Sequence, residues 1–275
     1  GSEMCIRDSL NVHPNKDGSL SFENPRVFQG KGVTTWEGLI KSVRAKVKGT
    51  KVKIRLGASS GEWKAMVADE AARTTFAKNI KTVLEKNKLD GIDLDFEWAE
   101  NEKEYKDYSL AILKMREVLG DKYLFSVSLH PVCYKISKEA IEAVDFISLQ
   151  CYGPSPVRFP IEKYCSDIQM VLEYGIPKEK LVAGVPFYGV TKDNSKKTEA
   201  YFNFVQNGLV TSPAQNEVIY QGDTYVFDGQ DNIRIKTRYA KEQKLKGMMS
   251  WDLATDLPLS DSRSLLKTMT EELRE

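Results

Sequence analysis

Hydrophobic and polar positions follow a repeated pattern along this chain. From Lys51 onward, a short apolar or β-branched run is followed by a polar turn and then by a stretch of helical period. This repeat is typical of βα units and predicts a parallel sheet covered by helices. The predicted strands are 51–59, 91–98, 123–130, 146–153, 181–189 and 247–254, and the clearest predicted helices are 69–87 and 106–120.

Two stretches depart from this rhythm. Residues 191–236 carry a polar run and hairpin-like turns at Gly222 and Gly229, so we interpret them as a small insertion between the last two strands. Residues 1–9 share no periodicity with the rest, and we interpret them as a scar or artefact. The sequence therefore predicts one domain over 10–275, built as a barrel or as an open doubly wound sheet.

One predicted strand carries acids on a single face. In the segment 91–98, Asp93, Asp95 and Glu97 alternate with large apolar residues at the period of a strand. In a barrel the apolar face packs on the helices, so the three acids point inward. They are stacked toward the C-terminal mouth, where such barrels keep their active sites.

Neighbouring acids in this column repel one another. Their spacing is about 6.6 Å from the rise of a strand, and at an effective dielectric constant near 20 the repulsion is about 2.5 kcal/mol. We therefore expect at least one of them to hold a proton at neutral pH. Glu97, nearest the mouth, is then suited to protonate a departing sugar oxygen. The alternatives are solvated acids on an edge strand or an all-oxygen cation site.

Composition narrows the function. The 40 Lys and Arg residues balance 39 Asp and Glu residues, so no global field favours nucleic acid or acidic lipid. No apolar run reaches the roughly 18–20 residues that span a bilayer, and no signal peptide is visible. We expect a soluble chain with neither a nucleic-acid nor a membrane partner. Four cysteines without CxxC spacing and two histidines argue against a disulfide scaffold and a zinc site.

The acid strand also carries a specific resemblance. Residues 90–97 match the pattern DGxDxDxE, the signature of glycoside hydrolase family 18, the chitinases and endo-β-N-acetylglucosaminidases, which this chain resembles over roughly 10–270. The segments 184–189 (GVPFYG) and 247–252 (GMMSWD) resemble the family's seventh and eighth strands. The resemblance implies an α/β fold of the TIM (β/α)₈ type. Since 10–13 resembles the end of the second strand, it also predicts that strand 1 and most of strand 2 are missing here.

The resemblance implies substrate-assisted retention, in which the sugar's own acetamide oxygen attacks the anomeric carbon. Glu97 would protonate the leaving oxygen. Asp95 would hold the acetamide N–H and stabilise the charged intermediate, and Asp93, lying deeper, would share a proton with Asp95. Tyr152 matches the tyrosine that donates to the attacking acetamide oxygen. This scheme needs no cofactor and no metal.

The resemblance also names sugar-binding residues. Trp251 matches a tryptophan that floors the subsite of the scissile sugar. Tyr188, Trp98 and Trp63 could extend this aromatic lining. Where the family often has MxYD, this chain has the segment 150–153, so Gln150 replaces the methionine and Gly153 the aspartate.

The predicted function is hydrolysis of β-1,4 bonds at N-acetylglucosamine, in chitin or chitooligosaccharides. The alternatives are an endo-β-N-acetylglucosaminidase acting on N-glycans and a non-catalytic lectin on the same fold. Such lectins typically lack the terminal glutamate, which is present here as Glu97. A metal-dependent barrel enzyme with His130 as a ligand is a further alternative. We expect a monomer, secreted or in the cell envelope as a full-length protein.

Overall fold

The computed structural model describes residues 10–23, 34–153, 159–193 and 197–275 of the chain. The interpretation of residues 1–9 as a scar lies outside these ranges. The chain divides into two compact units, Gly1–Ile147 and Ser148–Glu275. Within the described ranges, no helix is both long enough and apolar enough to cross a membrane.

The first unit alternates strands and helices. Its strands are β1 (Asn11–Pro14), β2 (Leu20–Phe22), β3 (Arg55–Ser59), β4 (Gly91–Asp95) and β5 (Leu124–Leu129). Its helices are α1 (Trp36–Lys46), α2 (Trp63–Ala68), α3 (Glu70–Asn87), α4 (Glu102–Leu119) and α5 (Lys138–Ala143). These strands lie in the order β2-β1-β3-β4-β5, and all neighbours are parallel except β1 and β2. The next strand, β6 (Phe146–Leu149), crosses the boundary between the units.

Side-chain caps lie at the start of four of these helices, and at α1 the hydroxyl of Thr35 accepts from the N–H of Gly38. The carboxylate of Asp69 accepts from an N–H in the first turn of α3, Asn101 does the same for α4, and Ser137 for α5. Each cap satisfies a backbone donor that has no partner within its helix. The polar turns read from the sequence therefore become the start points of helices.

The core of the first unit lies between β4 and the helices. Phe96 is 2% exposed, stacks on Trp63 with ring centroids 5.5 Å apart, and meets the edge of Tyr108 at 5.1 Å. The apolar face of the acid strand therefore packs on α2 and α4, as the sequence predicts. Trp63, grouped with the aromatic lining from the sequence, is itself only 2% exposed and belongs to this core.

The second unit contains a parallel pair of strands and a separate antiparallel sheet. Its strands are β7 (Leu181–Pro186), β8 (Tyr188–Thr191), β9 (Thr198–Ala200), β10 (Glu217–Tyr220), β11 (Asp223–Val226) and β12 (Gly247–Trp251). Its helices are α6 (Ile161–Tyr174), α7 (Tyr201–Gln206), α8 (Gln230–Glu242), α9 (Leu265–Arg274) and the 3₁₀ turn Leu253–Thr255. β7 and β12 are parallel neighbours, and β10-β11-β8-β9 form the antiparallel sheet.

All six predicted strands have counterparts, but each is shorter than the apolar run that predicts it. The run 51–59 becomes a strand only at Arg55, and the run 91–98 ends as a strand at Asp95. The reason is register, since β3 and β4 pair only from Arg55 opposite Gly91 to Ser59 opposite Asp95. Glu97 therefore lies beyond the strand, in the loop that follows it.

Gly91 gives a test of this register. A Cβ at this position would lie 2.0 Å from the backbone oxygen of Leu124. We predict that Gly91→Ala lowers the free energy of unfolding by about 1–3 kcal/mol because β4 and β5 must move apart. The matched control is Gly247→Ala, where the added Cβ meets nothing within 4 Å. Urea denaturation measures both variants, and equal losses would contradict the close approach.

Candidate active site

The exposure of the acid side chains rises from β4 into the loop that follows it. Asp93 is 1% exposed and Asp95 6%, whereas the side chain of Glu97 is 36% exposed. The exposure of the predicted inward column therefore increases from its buried end at Asp93 to its accessible end at Glu97. Of the three acids, Glu97 is the most accessible to a ligand in solution.

The buried end of the column contains a cation. Arg55 on β3 is 3% exposed, and its Nη1 lies 3.8 Å from Oδ1 of Asp93. The guanidinium donates to Oγ of Ser126, which in turn donates to Oδ1 of Asp93. Ser128 donates to Oδ2 at 2.8 Å. Both oxygens of Asp93 are thus hydrogen-bonded and its charge is compensated, as burial of a carboxylate requires.

Asp95 lies one step nearer the open end, opposite Ser59 in the register of β3 and β4. The pKa of Tyr108 on α4 is affected by the negative charge of this region. Burial raises the pKa of Tyr108 well above its ordinary value, and the negative charges of Asp93 and Asp95 add to the rise. The phenol therefore keeps its proton, and its hydroxyl donates to the backbone oxygen of Leu94 at 3.4 Å.

Glu97 contacts a histidine. Its Oε1 lies 2.8 Å from Nε2 of His130, which directly follows β5 and is 6% exposed. The ring of Trp98 lies against the same imidazole, with centroids 4.4 Å apart. The structure therefore places Trp98 beside the general-acid candidate, and His130, left as a possible ligand of a metal by the sequence, hydrogen-bonds the acid itself.

A pocket of about 350 Å³ lies next to Glu97. Its walls are Phe96 and Glu97 from the end of the acid strand and residues 61–65 at the start of α2. The volume falls within the range of small-molecule sites, roughly 300–1,000 Å³. The accessible carboxyl therefore borders an open pocket within the first unit.

The remaining four predicted site residues all lie in the second unit. Tyr152 is 5% exposed, and its hydroxyl donates to Oε1 of Gln150 at 3.2 Å. Tyr188 meets Tyr152 edge-on at 6.3 Å, and Trp251 packs against the same apolar cluster. The structure therefore brings Gln150, Tyr152, Tyr188 and Trp251 together, although they come from three separate stretches of the sequence.

A buried ion pair supports this cluster. Nζ of Lys236 lies 2.6 Å from Oδ2 of Asp228 and donates to the backbone oxygen of Phe159 at 2.7 Å. Phe159 in turn packs edge-on against Tyr188 at 6.1 Å. Burial raises the pKa of Asp228, and the charge of Lys236 opposes that rise. The pair lies in the stretch 191–236 that the sequence predicts as an insertion, and its burial was not predicted.

Two residues of the first unit were missed or misread from the sequence. Arg55 could have been found, because a charged residue inside an apolar strand, on the same face as Gly57 and Ser59, is a signal of a buried partner. The bond from His130 to Glu97 has no such signal, since 33 residues separate them. Among the described residues, no group of three or more His, Cys, Asp or Glu side chains could hold a metal ion.

Comparisons with known proteins identify the family of this chain. The family model described as Glycosyl hydrolases family 18 matches residues 11–256. A probable chitinase 2 of Drosophila melanogaster is 23% identical over 273 residues, with 75% of this chain covered. The chain spans only 56% of that relative's length.

Solved structures show the fold. The family 18 chitinase ChiB of Flavobacterium johnsoniae superposes with a TM-score of 0.76 at 25% identity, covering 96% of this chain and 86% of that one. A chitinase-like agglutinin of Robinia pseudoacacia superposes with a TM-score of 0.73 at 18% identity, covering 95% and 92%. The α/β fold of the TIM (β/α)₈ type, predicted from the sequence, is thereby confirmed.

The buried charge of Asp93 gives a test of the column. We predict that Arg55→Met lowers the free energy of unfolding by about 3–5 kcal/mol, because it leaves a buried carboxylate without its cation. The double variant Arg55→Met/Asp93→Asn removes both charges and should lose less. Urea denaturation of the two proteins makes the comparison. An equal loss in both would show that lost packing, and not the uncompensated charge, is the cause.

Proposed function

Because the chain belongs to the glycosyl hydrolases of family 18, we propose that it is a glycoside hydrolase that cleaves bonds next to N-acetylglucosamine. The observation that carries the proposal is the graded acid column of residues 93–97. At the buried end of this column the charge of Asp93 is compensated, which gives a rigid support. At its other end, the carboxyl of Glu97 is accessible and can reach substrate. The terminal glutamate borders the pocket beside α2.

In the proposed first step, Glu97 gives its proton to the glycosidic oxygen. The bond from that oxygen to the anomeric carbon breaks, and its electron pair stays on the departing oxygen. The acetamide oxygen of the same sugar forms the new bond to the anomeric carbon, giving a cyclic oxazolinium ion with retention over the two steps. Glu97, now a carboxylate, accepts a proton from the water that opens this ring.

The two aspartates have different tasks in this scheme. Asp95 accepts from the acetamide N–H and offsets the positive charge of the intermediate. Asp93 supports Asp95 from below and is held by Arg55 and the two serines of β5. The support is rigid because every member of the network is buried.

The cluster of the second unit supplies sugar-binding groups. We assign Tyr152 the role of donor to the attacking acetamide oxygen and Trp251 the role of an apolar platform for a pyranose face. Tyr188 and Gln150 complete this group, and Trp98 adds an aromatic surface next to Glu97. The hydroxyl of Tyr152 donates to Oε1 of Gln150 at 3.2 Å, and in the proposed reaction it donates to the acetamide oxygen instead.

Chitin or a chitooligosaccharide is the substrate class that the proposal names first. Gln150 and Gly153 stand where the family often has methionine and aspartate, which favours testing N-glycan cores as well. A lectin role is a competing reading, since one structural neighbour is named as an agglutinin. Glu97 and its accessible position argue for hydrolysis.

We also propose that the full-length protein acts outside the cytoplasm or in the cell envelope, as a monomer. An insoluble polymer of N-acetylglucosamine cannot enter a cell, so an enzyme that acts on it must be exported. Size-exclusion chromatography with light scattering tests the monomer, and fractionation of the source cells tests the location.

The role of Glu97 is tested by Glu97→Gln. We predict that this variant loses hydrolysis by about 10²–10⁴-fold or more, because an amide has no proton to give. Chitooligosaccharides and a high-mannose glycopeptide are the two substrates, and mass spectrometry follows the products. The matched control is Glu100→Gln, a nearby acid that is exposed and paired with Lys64. Binding of a sugar without cleavage by the unaltered protein would favour the lectin.

The role of Tyr152 is tested by Tyr152→Phe. The ring stays in its apolar cluster, so we expect the unfolding temperature to change little. We predict that kcat falls by about 10²-fold because a hydrogen bond to the forming charge is lost. A rise in KM with an unchanged kcat would instead show a role in ground-state binding alone.

A further inference from the structure

Two loop segments are joined beside the proposed general acid. The segment Glu97–Ala99 follows β4, and the segment His130–Cys133 follows β5. Each residue of the first segment contacts the second. Glu97 Oε1 lies 2.8 Å from His130 Nε2, the rings of Trp98 and His130 are 4.4 Å apart, and the backbone N–H of Ala99 donates to Sγ of Cys133 at 3.1 Å. The carboxyl of Glu97 is thus held from a neighbouring strand end.

The segment that holds Glu97 is itself fixed. The backbone groups of His130 and Cys133 bond each other in both directions, at 3.3 and 2.9 Å. Pro131 restricts the backbone between them. Burial raises the pKa of Cys133, so its sulfur stays a neutral thiol that can accept from Ala99. The imidazole of His130 therefore stands on a rigid turn.

We propose that His130 is the positioning residue of the general acid, with its imidazole proton on Nε2 and donated to Oε1 of Glu97. The proposal rests on the proposed function of Glu97. The tautomer follows from the other ring nitrogen, since Nδ1 is buried and bonds no described residue. Buried N–H groups without an acceptor are rarer in proteins than acceptors without a donor. A lone pair on Nδ1 and a proton on Nε2 is therefore the favoured form.

This bond has consequences for the chemistry of Glu97. Because Oε1 accepts from His130, we assign the acidic proton to the other carboxyl oxygen, Oε2. A donor to a carboxyl group favours its charged form. His130 thus stabilises the carboxylate that is left once the proton has moved to the leaving oxygen. The imidazole neither gains nor loses a proton in the reaction, so it acts through Glu97 and does not touch the substrate.

A direct measurement of the tautomer needs no substrate. The chain has two histidines, so ¹⁵N-histidine labelling gives two imidazole spin systems, and His13→Gln assigns them. At a pH where both rings are neutral, we expect His130 to show the Nε2–H tautomer. Glu97→Gln should shift the Nε2 signal of His130 and leave that of His13 in place. An Nδ1–H tautomer, or a His130 signal that ignores the change at Glu97, would overturn the proposal.

The catalytic consequence is measured with two substitutions of the same residue. His130→Phe keeps a flat ring against Trp98 but has no donor, whereas His130→Gln places an amide N–H near the position of Nε2. We expect His130→Phe to lower kcat by about 10- to 100-fold, with KM changed by less than about twofold, because the acid is no longer held in place. His130→Gln should recover most of the loss.

The kinetic outcomes distinguish a positioning role of His130 from a role in packing or in sugar binding. Equal losses in His130→Phe and His130→Gln would show that His130 only fills space. A higher KM with an unchanged kcat would make it a wall of the sugar site. Either result overturns the proposal. If the unaltered protein cleaves no sugar, the proposed function fails, and the tautomer measurement still decides whether His130 holds Glu97.

Discussion

The compensation of buried negative charge on β4 is the constraint on which the rest of this site depends. An isolated carboxylate cannot be buried at a tolerable cost, because it loses its hydration and gains nothing in return. Arg55 and two serine hydroxyls replace the water around Asp93. The compensated Asp93 supports two further acids on the same face of the chain, of which Asp95 is still buried and Glu97 is accessible.

The same strand also determines the core. Its apolar side chains pack on α2 and α4. Because Phe96 stacks on Trp63, the backbone that leads into Glu97 is fixed by core packing. Gly91 allows the backbone of β5 to approach closely, which brings Ser126 opposite Asp93. Core packing and site geometry are therefore one structural problem. A change that moves β4 against β5 would alter the support of the acids as well as the stability.

Buried groups also hold the predicted site residues of the second unit in place, and most of these residues are aromatic. Tyr152, Tyr188 and Trp251 are held in one apolar cluster, and a buried lysine supports that cluster through the backbone of Phe159. A buried ion pair adds little to net stability, but loss of one partner is costly. The pair of Lys236 and Asp228 is thus better understood as a device that defines the position of the segment around Phe159.

The sequence by itself determined the strand carrying the acids, the direction of its two faces and the family, because strand period and the spacing of DGxDxDxE are local properties of the chain. Five of the six strands predicted from apolar runs were placed within one residue at their first end, yet the predicted last ends of these five lie one to four residues too far along the chain, since an apolar run does not show where a neighbour stops pairing. The pairing of Arg55 with Asp93, the bond between His130 and Glu97 and the bond from Lys236 to Phe159 were decided only by the tertiary structure. Each joins residues distant in the chain, and such a contact depends on how strands and helices pack rather than on any local pattern.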